Sequence, residues 1–383
     1  MKRAIVLAAF VAAAAALAAN AVARPAATAS PTAAAQASCN TAAFGFSGPL
    51  TGPAAFLGQE QISWANYARA VYNRRFKTKY RILQGDTQLS ASLARTVGRQ
   101  FVSNSAVLGV IGSSTSQGVI SSAGLFKNAS LASVSPSATR TDLTTSRKYP
   151  TFFRVVPHDG VQAPSIANFT VKTLKADKVV IIDSQDDYSR ALAPAIQSRL
   201  RAQNVDVERE SVAATDTDFS SLVTTIGNDV DVVVFATQTA AAAQTMSQQL
   251  REQGKRAVVF GTDGAYSPTQ YKPRNGYVSS FAPDIRDVSG TAQLVRAYNV
   301  FSKNKAFGTF GPPSYMAAWV LFQATTVACK DGKVTRAEVL REVKRTRTPS
   351  ILGGSIRFTP VGDIFSPKFY VYKVTDGKYT LAG

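Results

Sequence analysis

A chain of 383 residues is long enough for two domains, each with its own core, while one histidine and two cysteines exclude a His/Cys metal cluster. Lys and Arg number 43 against 24 acids, a formal charge of +19, yet the cations are scattered: Arg69, Arg74, Arg75, Lys77, Lys79 and Arg81, then Lys172, Lys175 and Lys178, then Lys344, Arg345 and Arg347. With no helix-turn-helix signal and no aromatic–basic interleaving, they read as a solvated surface attracted to an anionic envelope, not as a nucleic-acid stripe.

The first elements concern export. Lys2 and Arg3 precede an apolar stretch from Ala4 to Ala19, and Ala21-Val22-Ala23 offers a cleavage site before Arg24, so residues 1–23 read as a signal peptide. The apolar stretch is too short and too weakly flanked for a membrane span. Residues 24–39, rich in Pro, Ala, Thr and Ser, read as a flexible tether. The mature protein is then expected outside the cytoplasm, at the periplasmic or extracellular face of the envelope. There the pair Cys39 and Cys329 invites a disulfide. The alternative is a lipidated Cys39, for which Gln36-Ala37-Ser38 is a poor lipobox.

After the tether, strands and helices alternate. Phe44-Gly45-Phe46 reads as a short strand, and Trp64, Ala68 and Val71 mark one face of a helix. The next strand leads to Asp86, and Leu89, Leu93, Val97 and Phe101, four apart, mark a second helix. Val107-Leu108-Gly109-Val110-Ile111 is a strand. In the second half, Val179–Ile182 and Val232–Phe235 are continuous apolar runs, as expected of parallel strands buried on both faces. A helix is expected from about Ser189 to Ala202, and Gly254 ends another. Val258-Val259-Phe260 is a further strand, and Tyr315 to Ala328 is an apolar core helix. Phe369–Tyr372 and Tyr379 suggest a hairpin around Asp376-Gly377.

These elements predict an α/β protein of two Rossmann-like lobes with parallel central sheets joined by a three-strand hinge. Breaks at Arg154 to Asp159, at Phe281-Ala282-Pro283-Asp284 and near Phe358 to Asp363 mark the crossings. Lobe I is expected over residues 40–157 plus 285–355, and lobe II over 158–284 plus 356–383.

Two hydroxyl-rich loops follow buried strands: Ser113-Ser114-Thr115-Ser116-Gln117-Gly118 after Val110-Ile111-Gly112, and Ser135-Pro136-Ser137-Ala138-Thr139 after Ala132-Ser133-Val134. Adjacent strand ends in an open α/β sheet form a ligand crevice. Hydroxyls and free N–H groups at helix starts suit a small carboxylate. Catalysis has little support. A Ser-His-Asp triad would need His158, which reads as a hinge or surface residue, and there is no Gly-x-Ser-x-Gly elbow, phosphate-binding loop or Gly-x-Gly-x-x-Gly fingerprint. Asp216 and Asp218 read as a helix cap before Phe219-Ser220, and Arg154 as either a hinge brace or a cleft residue. The expectation is a binding protein, with no enzyme activity, cofactor or metal.

Gly48-Pro49-Leu50-Thr51-Gly52-Pro53, the two serine loops, Pro150-Thr151-Phe152-Phe153-Arg154, Asp216-Thr217-Asp218-Phe219-Ser220 and Gly261-Thr262-Asp263-Gly264 together resemble the branched-chain amino-acid type of periplasmic solute-binding proteins over about residues 43–380. The resemblance implies a monomeric receptor whose two lobes close on a solute and deliver it to an ABC permease. It implies that Ser116 bonds the solute carboxylate. It also implies that the turn Ser137-Ala138-Thr139 gives a carbonyl to the ammonium and a hydroxyl and N–H to the carboxylate. Asp263 would pair with the ammonium and Tyr188 would lie over the ligand. Gln238 stands where an aromatic is usual, and a further aromatic position falls on Phe56 or Leu57, so the side-chain subsite departs from the pattern. An alternative role is an exported sensor for another small carboxylate or amide, such as an aromatic acid or urea, acting through a receptor.

Overall fold

A computed structural model describes residues 37–329 and 331–383. The signal peptide and the tether up to residue 36 lie outside them. The chain is α/β, with two sheets that are parallel in their central strands and covered by helices on both faces.

The first sheet has five parallel strands in the order Arg81–Asp86, Ala43–Gly48, Val107–Gly112, Ala132–Ser135 and Phe152–Arg154. The apolar run at Val107 is buried throughout because helices cover both sides of it. On one side Val107 and Val110 meet Val97, Phe101 and Phe126. On the other, Leu108 and Ile111 join Trp64, Tyr72, Leu321 and Phe322. The helix Ala55–Phe76 carries Trp64, which stacks on Tyr298 at 3.8 Å, and lies along the apolar helix Gly311–Ala328.

The second sheet has seven strands in the order Asp206–Ser211, Lys178–Asp183, Val232–Ala236, Val258–Gly261, Gly276–Ser280, Tyr370–Thr375 and Lys378–Leu381. The first five are parallel and the last two antiparallel. The period of two is visible in the core: Val180, Ile182, Val233 and Phe235 face one helical layer, and Val179, Ile181, Val232 and Val234 the other.

Three passages join the lobes, but the third lies later than the sequence breaks suggest. Ile356, Phe358 and Ile364 pack in the first lobe's core and Phe369 in the second's, so residues 356–364 belong with the first lobe. Arg154 braces this region. Its fully buried guanidinium donates to Asp363 Oδ1 at 2.6 Å, to the carbonyls of Ala138 and Arg140 at 3.1 and 2.8 Å, and to Thr144 Oγ1 at 2.5 Å. A buried cation is tolerated when its donors are so fully used.

Two local expectations change. Leu89 is not in the second helix, which starts at Ala91 behind the N-cap Ser90; Leu89 has φ of 63° and its backbone cannot continue a helix. His158 is the N-cap of the helix Asp159–Lys172, its Nδ1 accepting from Gly160 N at 3.1 Å. Neither Asp216 nor Asp218 is the N-cap of the helix Ser220–Thr225, which is Phe219; Asp218 receives the Ser220 N–H at 3.0 Å and Asp216 the Ala213 N–H at 2.8 Å.

Ala37–Ser38 pairs with Lys333–Val334, and Cys39 is bonded to Cys329 with Cα atoms 5.8 Å apart. The disulfide occupies the Cys39 sulfur and leaves it none for a lipid thioether. It closes a loop of 290 residues, which in the chain-entropy picture is stabilising by roughly 5 kcal/mol. Replacing both cysteines by serine should lower stability by about 2–5 kcal/mol in urea unfolding monitored by circular dichroism.

Candidate functional site

The site forms where strand ends of both lobes converge. In the first lobe, Gly112 turns the chain into the serine loop with φ of 122°, and a Cβ there would lie 2.5 Å from the Ser47 carbonyl. The loop then opens the helix Ser116–Asn128, whose N-cap is Thr115, with Oγ1 accepting from Gly118 N at 3.3 Å. Ser116 is therefore free of the capping role. Its hydroxyl is buried and has no hydrogen-bond partner.

The turn after Ala132–Ser135 places its three residues differently. The Ser137 hydroxyl is committed within the lobe, donating to Ser114 O at 2.5 Å and accepting from Gln61 Nε2 at 2.7 Å. Ala138 turns away from the cleft. Its N–H bonds Ser135 Oγ, its carbonyl accepts from Arg154, and its methyl packs with Val119, Leu143 and Phe152. It brings no polar group to the site, contrary to its expected place in the ligand set. The Thr139 Oγ1 is buried without a well-aligned partner, beside the Asp159 carboxyl.

The second lobe supplies acids. Asp263 follows the strand Val258–Gly261, and its Oδ1 accepts from Tyr188 OH at 2.5 Å and from Gln162 Nε2 at 2.6 Å. Gln162 also donates to Ser279 Oγ at 2.9 Å, which leaves its Oε1 buried and unpartnered. Tyr188, just before the helix Ser189–Arg201, is thus bonded to Asp263, a contact the sequence reading did not anticipate. Gln238 reaches the first lobe: its Nε2 donates to Gln117 Oε1 at 3.2 Å. A second bridge runs from Arg140 Nη1 to the Asp187 carbonyl at 2.9 Å. Leu57 crosses as well, packing into the second lobe's core cluster while Phe56 meets Phe310 edge-on at 6.0 Å.

The sequence reading missed Asp159 and Gln162. Asp159 is fully buried, and neither of its carboxylate oxygens has a well-aligned hydrogen-bond partner. Burial first, then repulsion from Asp263, pushes its pKa up to about 8, against the partial relief given by Thr139, Arg154 and Arg140. Asp263, also fully buried, is raised to about 6, chiefly by burial, with the Tyr188 and Gln162 bonds pulling it down. Burial raises Asp186 too, and raises the Tyr188 hydroxyl well above its ordinary value. Locally, Asp159 looks like an ordinary first-turn helix acid. Only the tertiary approach of Asp263 reveals it.

The site therefore has two chemically distinct sets of groups. Ser116 and Thr139 offer hydroxyls; Asp159, Asp263 and Gln162 Oε1 offer acceptors and negative charge. That pairing suits a zwitterion. Among the described residues no group of three or more His, Cys, Asp and Glu can hold a metal ion, and no helix is long and apolar enough to cross a membrane.

Comparison with known proteins shows the family and the fold. The periplasmic binding protein family model matches residues 41–378. A Leu/Ile/Val-binding protein homolog of Brucella melitensis is 28% identical over 361 residues, covering 90% of this chain and 94% of the relative. A leucine-, isoleucine-, valine-, threonine- and alanine-binding protein of Pseudomonas aeruginosa is 24% identical, covering 88% and 90%. Among solved structures, the leucine-binding protein LivK of Thermotoga maritima superposes with a TM-score of 0.80 at 20% identity, covering 89% of this chain and 98% of that one. A solute-binding protein of Rhodopseudomonas palustris in complex with benzoate gives 0.79 at 14% identity, covering 90% and 96%.

The raised carboxyl pKa values set a pH dependence. In the unfolded chain both acids ionise near the ordinary aspartate value of 3.8; in the folded chain they resist ionisation until about 6 and about 8. Their contribution is thus fully present below pH 4 and lost as pH rises through 6 to 8. The ligand-free protein should lose roughly 4–8 °C of Tm between pH 5 and pH 8 by differential scanning calorimetry. Asp159→Asn should flatten the part of that slope above pH 6, and an identical slope in the variant would refute the assignment.

Proposed function

The chain belongs to the periplasmic binding protein family, and on that premise we propose that it captures a free α-amino acid, branched-chain or closely related, between its lobes. It acts as the solute receptor of an ABC transporter and hands the solute to a membrane permease; it is not an enzyme. The observation that carries this reading is the polarity of the cleft. Ser116 and Thr139 receive the carboxylate, together with N–H groups at the start of the helix Ser116–Asn128. Asp263 receives the ammonium, Asp159 shares it, and the Ser137 carbonyl accepts from it.

Charge decides between solute classes. A simple carboxylate, such as the benzoate held by the Rhodopseudomonas neighbour, would offer the two buried acids no countercharge. An ammonium relieves both acids and the repulsion between them. Arg154, the nearest buried cation, is already consumed by Asp363 and backbone carbonyls. Leu57, Phe56 and Gln238 form the wall beyond, where Gln238 gives a polar patch that a strictly aliphatic side chain does not use.

Closure is the working step. The Gln117–Gln238 and Arg140–Asp187 bonds link the lobes, so opening the cleft would have to break them. A ligand that binds the shut form better shifts the population toward it, which presents both lobes together to the permease. Capture and delivery are thus one conformational change.

Isothermal titration tests the reading. Asp263→Asn should weaken leucine, isoleucine or valine binding by about 30-fold or more, the cost of removing one partner of a buried charge pair. It should not weaken binding of 4-methylpentanoate, which lacks the ammonium. Unchanged amino-acid affinity in the variant would overturn the ammonium assignment.

A further inference from the structure

A second cavity, of about 460 Å³, lies against all three passages between the lobes. Val155 and Pro157 from the first passage line it, with Phe281 and Pro283 from the second and Ser366 and Lys368 from the third. The rest of its wall comes from the hairpin Arg347–Pro349 and Ser355–Arg357 and the loop between those strands. Three cations line it, Arg347, Arg357 and Lys368, and no Asp or Glu does.

The placement of the arginines is unusual. Arg347 and Arg357 are directly opposite each other in an antiparallel ladder, where like charges repel. Neither has a carboxylate partner among the described residues; Arg357 lies over the Phe365 ring at 4.0 Å, and Lys368 over Tyr370 at 4.8 Å. Ring stacking holds the two charges in place without neutralising them. Guanidiniums on facing positions of two strands, with an ammonium on the same wall, are donors of the kind that take a phosphate.

We propose that this cavity behind the hinge is a second ligand site, for a small phosphate-bearing molecule. The cations take the phosphate, and Phe281, Leu352 and Ile364 give an apolar surface for what it is attached to. The phosphate comes from a soluble ester or from a phospholipid headgroup, which share this chemistry. Arg347 and Arg357 stand on a hairpin packed into the first lobe through Ile356, whereas Lys368 immediately precedes Phe369 of the second lobe's core. An anion held by both spans the pivot, so its binding is linked to the opening of the cleft and therefore to solute affinity.

The test uses the whole mature protein and inorganic phosphate as probe, in thermal-shift titrations at constant ionic strength set with potassium chloride. Phosphate should raise Tm above the chloride control, and Arg347→Gln with Arg357→Gln should weaken its affinity by about tenfold or more, the loss of at least one charge-assisted bond. The double variant should still bind its amino acid, which separates loss of the site from misfolding. No phosphate-specific shift in the wild type, or an equal shift in the variant, would overturn the proposal. Co-sedimentation with phosphatidylglycerol vesicles distinguishes the sources: retention that depends on the two arginines identifies the headgroup, and phosphate binding without such dependence identifies a soluble ester.

Discussion

Two carboxylates that face each other in a dry interior cannot both be charged without a cation between them. Asp159 and Asp263 are both fully buried, and the charge of Asp263 adds to the cost of ionising Asp159. A core that existed only to be stable would have replaced such a pair by apolar residues. Its presence, next to the unpartnered Ser116 hydroxyl and a Thr139 hydroxyl with no well-aligned partner, gives the cleft a charge requirement that a ligand must complete.

The fold delivers these groups by ordinary means. Parallel strands end together, so the loops after Val107–Gly112 and Ala132–Ser135 converge on one side of the crevice. The helix that starts at Asp159 begins directly after the first passage between lobes, capped by His158, so the acid stands at the floor of the cleft. Arg154, five residues earlier, is held by Asp363 and three backbone or hydroxyl acceptors, which makes the floor rigid while the lobes move. Its charge is spent on that brace, and this is why it neutralises Asp159 only partly.

How much was legible in the sequence follows from the range of each signal. The strands at Val107, Val179, Val232 and Val258 are continuous apolar runs, and burial on both faces makes such runs readable without tertiary knowledge. Ser116, Thr139, Tyr188 and Asp263 could be singled out because their local motifs resemble a known family; the Tyr188–Asp263 bond itself carries no local signal. Leu89 misled because its spacing fits a helix whose actual start is set by the Ser90 cap. Ala138 misled because a turn alternates its residues between cleft and core, and Arg154 takes the Ala138 carbonyl to the core side. Asp159 was invisible for the opposite reason: an acid in a helix first turn is ordinary until another acid is brought beside it from more than a hundred residues away in the chain. The third passage was misplaced because residues 356–364 carry the alternation of a strand whichever lobe they join, and only packing of Ile356 and Phe358 decides.

The central claim concerns protons, and it is most directly read by carbon-13 NMR of the aspartate carboxyls, titrated with and without leucine. The account predicts that the Asp159 carboxyl of the free protein titrates near pH 8 and that saturating leucine moves its midpoint down by at least about two units, since the ammonium supplies the missing countercharge. An Asp159 resonance that titrates at the same pH in both states, or that is already ionised at pH 5 in the free protein, would contradict it.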